Sequence, residues 1–318
     1  MQVTIWGCRG SLPTPMPRDQ YERTLASILT AYRDGGSPED VEGFLAGRPF
    51  VERSMYGGNT SCVEVTEGEH QLIFDAGSGL RLLGLKMMRG VCGKGRGEVN
   101  FFISHTHWDH IMGFPFFVPA YIPGNRLTIY GCHGGLRERF EHQQVLTHFP
   151  VTLDQMASTK SFVQIETGKA QTIGPFTITA IKNYHPGDAY SYRVQTEKGV
   201  FVYATDAEYT ELPWEERQAY VEFFRGADVL VFDAAYSLVE AVEKLDWGHS
   251  SPFIGVEIAN DADVKTLVLF HHDPATSDTG IAEALAKARR FYEQIPNKAS
   301  HCEIVSAYDQ QVLEIERC

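Results

Sequence analysis

The sequence predicts an α/β (α+β) protein in which two mixed β-sheets pack together with helices outside. Three observations carry that prediction. Short strand-like runs fill both halves of the 318-residue chain. Hairpin signals join some of them, at Glu67-Gly68-Glu69 and Glu197-Lys198-Gly199. Helical patterns are interleaved in each half, without the regular alternation of a doubly wound parallel sheet. No low-complexity linker divides the chain, so residues 1–318 are expected to form one domain.

Val3–Trp6 reads as a first strand, followed by the turn Gly7-Cys8-Arg9-Gly10-Ser11. Residues 18–47 change character. Tyr21, Leu25, Ile28, Leu29 and Tyr32 recur at helical spacing, Gly35-Gly36 ends that helix, and Ser37-Pro38-Glu39-Asp40 opens another with proline in its first turn. This is read as a two-helix insertion that covers the site, packs on a second copy in a homodimer, or forms a plain surface hairpin. Strands resume at Ser61–Thr66 and Gln71–Asp75, and Asp75-Ala76-Gly77-Ser78-Gly79 opens a helix over Leu80–Arg89. Val99–Ser104 and Leu127–Gly131 are strands, and Leu136–His148 is helical. The second half gives strands at Ser161–Glu166, Phe176–Lys182, Tyr190–Gln195, Val200–Thr205, Val229–Asp233 and Thr266–Phe270. Its helices fall at Glu211–Phe224, Pro252–Asn260 and Gly280–Ile295.

Composition excludes several classes. A formal charge of −13 argues against a long nucleic acid as partner, which would need a basic surface. No apolar run is long enough to span a bilayer. The first residues lack the basic start and apolar core of a signal peptide, so a cytoplasmic location is expected. Six scattered cysteines, at 8, 62, 92, 132, 302 and 318, form no C-x-x-C pair, and reduced thiols are expected, with Cys318 simply exposed.

The chemistry concentrates in His105-Thr106-His107-Trp108-Asp109-His110, directly after a strand. Imidazole and carboxylate together suit zinc, manganese or iron. One short loop can present His105 and His107 to one ion and turn Asp109 and His110 toward a second. Further candidate ligands stand where strands end: His185, Asp206 and His271, with His272 as the neighbouring alternative. Asp75 ends an apolar run, where it either supports a metal-bound imidazole or caps the next helix. Arg9 is a candidate anion binder. Asn59, Thr60 and Ser61 are candidate substrate-binding residues that donate to a phosphate, or else satisfy a turn.

This pattern resembles the H-x-H-x-D-H signature of the metallo-β-lactamase superfamily, followed in order by a His, an Asp and a His at a strand end. The resemblance covers nearly the whole chain. It implies an αββα sandwich with a dinuclear metal site on the sheet edge. By that resemblance His105, His107 and His185 hold the first ion. Asp109, His110 and His271 hold the second, and Asp206 bridges both. Zinc is the first choice of metal, with manganese or iron as alternatives. Trp247-Gly248-His249-Ser250-Ser251 resembles the His-Ser segment of the ribonuclease Z-like phosphodiesterases. Gly7–Ser11 and Gly57–Cys62 also resemble that branch, closest to enzymes acting on small molecules, including phosphoribosyl cyclic phosphates.

The implied reaction is hydrolysis of a small, cyclic phosphodiester. Two ions can share a hydroxide and clamp phosphoryl oxygens. Asp109 orients the hydroxide as well as binding metal. His249 is the candidate general acid, imidazole being suited to proton transfer near neutral pH. Asp246 and Glu208 are candidate partners for His249 or for a ligand His, or else solvated surface charges. Two other readings compete: a tRNA 3′-processing endonuclease, and a thioester or lactone hydrolase. The first is disfavoured because bacterial ribonucleases Z carry a long arm between the positions of His185 and Asp206, where only a tight hairpin fits here.

Overall fold

A computed structural model describes the chain except residues 210–211, 297, 299–300 and 317–318. The expected helix start at Glu211 and the exposed Cys318 therefore lie outside the described residues. The strands are β1 (Gln2–Gly7), β2 (Cys62–Glu67), β3 (His70–Phe74), β4 (Glu98–Phe102), β5 (Arg126–Gly131), β6 (Thr159–Gln164), β7 (Gln171–Ile173), β8 (Phe176–Asn183), β9 (Ala189–Gln195), β10 (Val200–Ala204), β11 (Val229–Asp233), β12 (Thr266–Phe270), β13 (Glu303–Ser306) and β14 (Gln311–Glu314). Among the described residues they form two seven-stranded sheets, ordered β14-β1-β2-β3-β4-β5-β6 and β13-β12-β11-β10-β9-β8-β7. Each sheet is mixed. β3 to β6 run parallel, as do β10 to β13, while the remaining pairs are antiparallel.

The helices are α1 (Arg18–Asp34), α2 (Val41–Ala46), α3 (Phe50–Arg53), α4 (Leu80–Met87), α5 (Trp108–Ile111), α6 (Leu136–Gln143), α7 (Trp214–Phe224), α8 (Leu238–Glu243), α9 (Pro252–Asp261) and α10 (Asp278–Gln294). Alternation along the strands sorts the apolar side chains onto the two faces of each sheet. Phe74, Phe102, Phe201, Tyr203 and Val231 join one core between the sheets. Ile73, Phe101 and Ile103 face outward with Leu80 and Leu83 of α4 and Phe140 of α6. Val202, Leu230, Phe232 and Leu269 face outward with Phe224 of α7, Ile258 of α9 and Ala288 of α10. The fold is therefore the αββα sandwich of the metallo-β-lactamase type.

Some boundaries differ from the sequence reading. The second helix of the 18–47 segment is capped by Asp40, whose carboxylate accepts from Gly43 N, and not by Ser37-Pro38. The helix expected to run to His148 stops at Gln143, where Gln144 turns its amide toward Val151 O. Short strands β7, β13 and β14 and helices α3, α5 and α8 carry too few residues for periodicity to register. The five described cysteines are free thiols. No described helix is long and apolar enough to cross a membrane.

Candidate metal centre

The site is assembled where strands end. β3, β4, β10, β11 and β12 deliver Asp75, His105, Asp206, Asp233 and His271, each within three residues of its strand's last residue. Open α/β sheets present their functional groups at such carboxyl edges. Three of these residues have left-handed backbones: Asp75 at φ 59°, Asp206 at φ 55° and His271 at φ 60°. Such conformations cost free energy and cluster at functional sites. The six-residue motif is more than a loop. Its last part is the single turn α5, which carries Asp109 and His110 inward and leaves Trp108 outside.

The seven expected ligands are brought together. His105, His107 and His185 place one ring nitrogen each within 4.8 Å of one another, as do the donor atoms of Asp109, His110 and His271. Asp206 stands between the two triads. Its Oδ1 lies 3.7 Å from His105 Nε2, 3.9 Å from His185 Nε2 and 3.3 Å from His271 Nε2, and its Oδ2 lies 3.2 Å from His110 Nε2. His271 and not His272 faces this cluster, because His272 Nε2 bonds Ala307 O, 3.0 Å away.

Two glycines make the assembly sterically feasible. Gly248 has φ 79°, and a Cβ there would stand 2.3 Å from His185 Nδ1. A Cβ on Gly10 would stand 2.3 Å from His271 Cε1.

Proton distribution favours a cation. Burial pushes His105, His107 and His185 down, toward the neutral form that ligates metal. Burial acts the same way on His110 and His271, yet Asp206 and Asp109 outweigh it; His110 is raised well above its usual value and His271 to about 9. Burial would raise Asp206, but His110, His271 and His105 hold it well below the usual carboxylate range. The Nε2 atoms of His105 and His110 are buried with no hydrogen-bond partner among the described residues. Native buried polar atoms are rarely orphaned. Divalent cations held by these imidazoles and carboxylates would satisfy both and displace the protons on His110 and His271.

Residues 70–272 match the family described as beta-lactamase superfamily domain, a span covering more than half of the chain. The chain belongs to the beta-lactamase superfamily. It resembles a ribonuclease Z of Thermoplasma acidophilum, 25% identical over 241 residues, 61% of this chain and 75% of that one. It resembles the probable metallo-hydrolase YhfI of Bacillus subtilis, 26% identical over 229 residues, 68% of this chain and 83% of that one. The crystal structure of YhfI superposes with a TM-score of 0.62 at 20% identity, covering 98% of each chain. A diphosphatase of the PhnP family superposes with a TM-score of 0.62 at 18% identity, covering 100% of this chain and 98% of that one. The protein is thus a metal-dependent hydrolase of the superfamily.

This superfamily member supports its site from behind with two buried aspartates. Asp75, fully buried, lies 2.7 Å from His110 Nδ1 and accepts from Ser104 N, Ser104 Oγ and Tyr203 OH. It does not cap α4, whose first residue follows Gly79. Asp233 does the equivalent for His249, its Oδ2 lying 2.8 Å from His249 Nδ1. Asp246 accepts from Tyr184 OH, and Glu208 from Gly248 N. Asp233 is the residue that sequence reasoning missed. The signal was there: Leu230-Val231-Phe232-Asp233-Ala234 repeats the pattern Leu72-Ile73-Phe74-Asp75-Ala76.

Other expected residues serve the scaffold. Arg9 is buried and ion-paired to Asp278 at 2.9 Å, with further bonds to the carbonyls of Gly57 and Thr276, which leaves it no opening for an anion. Asn59 donates Nδ2 to Asp309, Thr60 exchanges bonds with Ser78, and Ser61 is fully buried. These three hold the turn behind the metal loop rather than facing a phosphate. Asp109 Oδ2 accepts from Ser11 N at 2.8 Å and lies 3.2 Å from His271 Nε2.

Proposed function

We propose that the protein is a phosphodiesterase acting on a small phosphodiester, with two divalent ions held in the paired triads. His105, His107 and His185 would hold one ion, Asp109, His110 and His271 the other, and Asp206 both. Bound there, zinc or a similar ion would supply Lewis acidity toward phosphoryl oxygens and lower the proton affinity of water. The chain's own residues do the rest. Asp109, fixed by Ser11 N, sets the orientation of the group it binds.

The observation that carries the reading is the His249–Asp233 pair. With Nδ1 fixed on Asp233, His249 has Nε2 left to hand a proton to a leaving alkoxide. The ring is 14% exposed; the imidazoles of His105, His110, His185 and His271 are between 0% and 3%, and His107 is exposed. It packs 5.3 Å from the His185 ring and 4.9 Å from the His271 ring. An imidazole so placed touches both triads and still meets solvent.

The similarity to ribonuclease Z supports a second reading, cleavage of a tRNA precursor. Against it stand the net charge of −13 and the tight turn at residues 196–199, closed by a bond from Thr196 N to Gly199 O. A panel of cyclic and linear phosphodiesters, a tRNA precursor and a thioester, offered to the metal-loaded enzyme, tests the choice. Hydrolysis of bis(p-nitrophenyl) phosphate and a small cyclic phosphodiester is expected. Turnover of the tRNA precursor alone would overturn the small-substrate reading, and turnover of the thioester alone would overturn phosphoester chemistry.

A further inference from the structure

A trough of about 920 Å³ adjoins the metal-binding motif, walled by residues 106–116 on one side and 138–149 on the other. Thr106 and Trp108, the chain neighbours of the expected ligand His107, both line it. Its volume lies near the top of the range for ligand pockets, about 300–1,000 Å³, and exceeds what one ring system needs. Trp108, Ile111, Met112, Pro115, Phe116 and Phe149 make its walls apolar. Trp108 is 78% exposed and Phe116 56%, with the Phe116 ring edge-on to Phe149 at 5.4 Å. Contiguous apolar surface left open in this way marks a binding surface.

The polar groups along the trough narrow the occupant. Gln143 Nε2 donates across it to Ile111 O at 3.2 Å, and the His142 and His148 rings face each other at 6.3 Å. None of the buried polar atoms left unpartnered among the described residues belongs to its lining. The walls therefore ask for hydrocarbon and offer little to a polar ring. Arg139 is the exception. It is half-buried, its Nη1 donates to Thr106 Oγ1 at 3.1 Å, and it has no ion pair among the described residues. Thr106 sits between His105 and His107, so this guanidinium is held against the metal loop with donors to spare for an anion. An anionic head at Arg139 and the metal loop, with an alkyl chain along the apolar walls, meets both conditions.

We propose that the trough holds the alkyl chain of an amphiphilic phosphodiester whose phosphoryl group meets Arg139 and the metal cluster. That the head is the scissile phosphate rests on the phosphodiesterase reading; the preference of the trough for a chain does not. Octylphosphonate and methylphosphonate, which cannot be hydrolysed, are the probes, titrated into the metal-loaded full chain by calorimetry below the concentration at which micelles form. A methylene fully removed from water is worth about fourfold in affinity and one half-covered in an open trough about twofold, so the octyl chain should tighten binding about 100-fold. Phe116→Glu, which sets a carboxylate on the wall, should cut that gain below about tenfold. Val312→Glu, on β14 at the far edge of the first sheet, should keep it. Arg139→Ala should weaken both probes about tenfold. A thermal melt of each variant shows that it is folded. Equal affinity for the two probes, or a gain that survives Phe116→Glu, would overturn the proposal. So would benzylphosphonate binding as tightly as octylphosphonate, which would give the trough to a ring, or a wild-type dimer that Phe116→Glu splits, which would give it to a second copy. Both probes unchanged in Arg139→Ala would overturn the assignment of the head. A full octyl gain in an enzyme that leaves bis(p-nitrophenyl) phosphate intact would sink the phosphodiesterase reading and leave the trough's assignment standing.

Discussion

Asp233 Oδ2 lies 2.8 Å from His249 Nδ1 and also accepts from Asp206 N at 3.1 Å, so one carboxylate ties the His249 ring to the backbone of Asp206. The pair fixes the ring's orientation, and Asp233 also accepts from Ala235 N. His249→Ala is expected to keep its metal content and melting behaviour while kcat on bis(p-nitrophenyl) phosphate falls by roughly 10²–10⁴. Asp233→Asn should lower kcat more than it raises KM, with a distorted pH–rate profile. Unchanged turnover in His249→Ala would remove its role as acid.

Asp206 is within 4 Å of ring nitrogens from both triads. Elemental analysis of the wild-type protein is expected to return about two divalent ions per chain, and of Asp206→Ala well under one. A variant that retained both ions would show that Asp206 is not shared.

Gly248 combines a left-handed backbone with a close approach to His185. Gly248→Ala must strain the backbone and displace the imidazole, so a loss of more than about 2 kcal/mol on denaturant unfolding is expected, with metal content reduced. Gly168 has φ 73° and open space around it. Gly168→Ala should cost only about 1 kcal/mol and spare the metals.

Arg9 and Asp278 form a buried ion pair with side chains 4% and 9% exposed. Removing one partner leaves the other charge buried, so Arg9→Ala should destabilise the protein by about 3–5 kcal/mol. An anion-binding role predicts the opposite signature, a raised KM at unchanged stability.

Burial raises Asp309 to about 6, against the pull of its donors on the 58–59 segment. A folded-state pKa above the unfolded value of 3.8 means the folded protein holds this proton more tightly. The stabilisation is fully present below that unfolded value and is lost as pH rises through about 6. Asp309→Asn removes the titration. Its stability relative to wild type should therefore rise by about 1–2 kcal/mol between pH 4 and pH 7, measured by urea unfolding.

Much of the fold was legible because its strands are short apolar runs closed by turn chemistry. Val229–Asp233 and Thr266–Phe270 were read residue for residue. Elements with little local signal were not. β7 has three residues, and α5 arises inside a motif whose His and Asp residues are neutral to helix propensity. The candidate cluster was legible for a different reason: His and Asp at strand ends are expensive to bury unless they bind something, and their order resembles a family signature.

The sequence by itself determined which side chains could hold metal, that His249 stood in a suggestive segment, and that two sheets would form. Only the tertiary structure decided who stands behind them. Arg9, Asn59, Thr60 and Ser61 look like phosphate binders in a string of letters, yet packing commits them to Asp278, Asp309, Ser78 and the protein interior. Asp233 looks like the end of a strand, yet it holds an imidazole that packs against both triads. A hydrogen bond between residues 16 apart in the chain depends on how β11 and the loop before α9 are brought together. Local pattern carries no record of that distance.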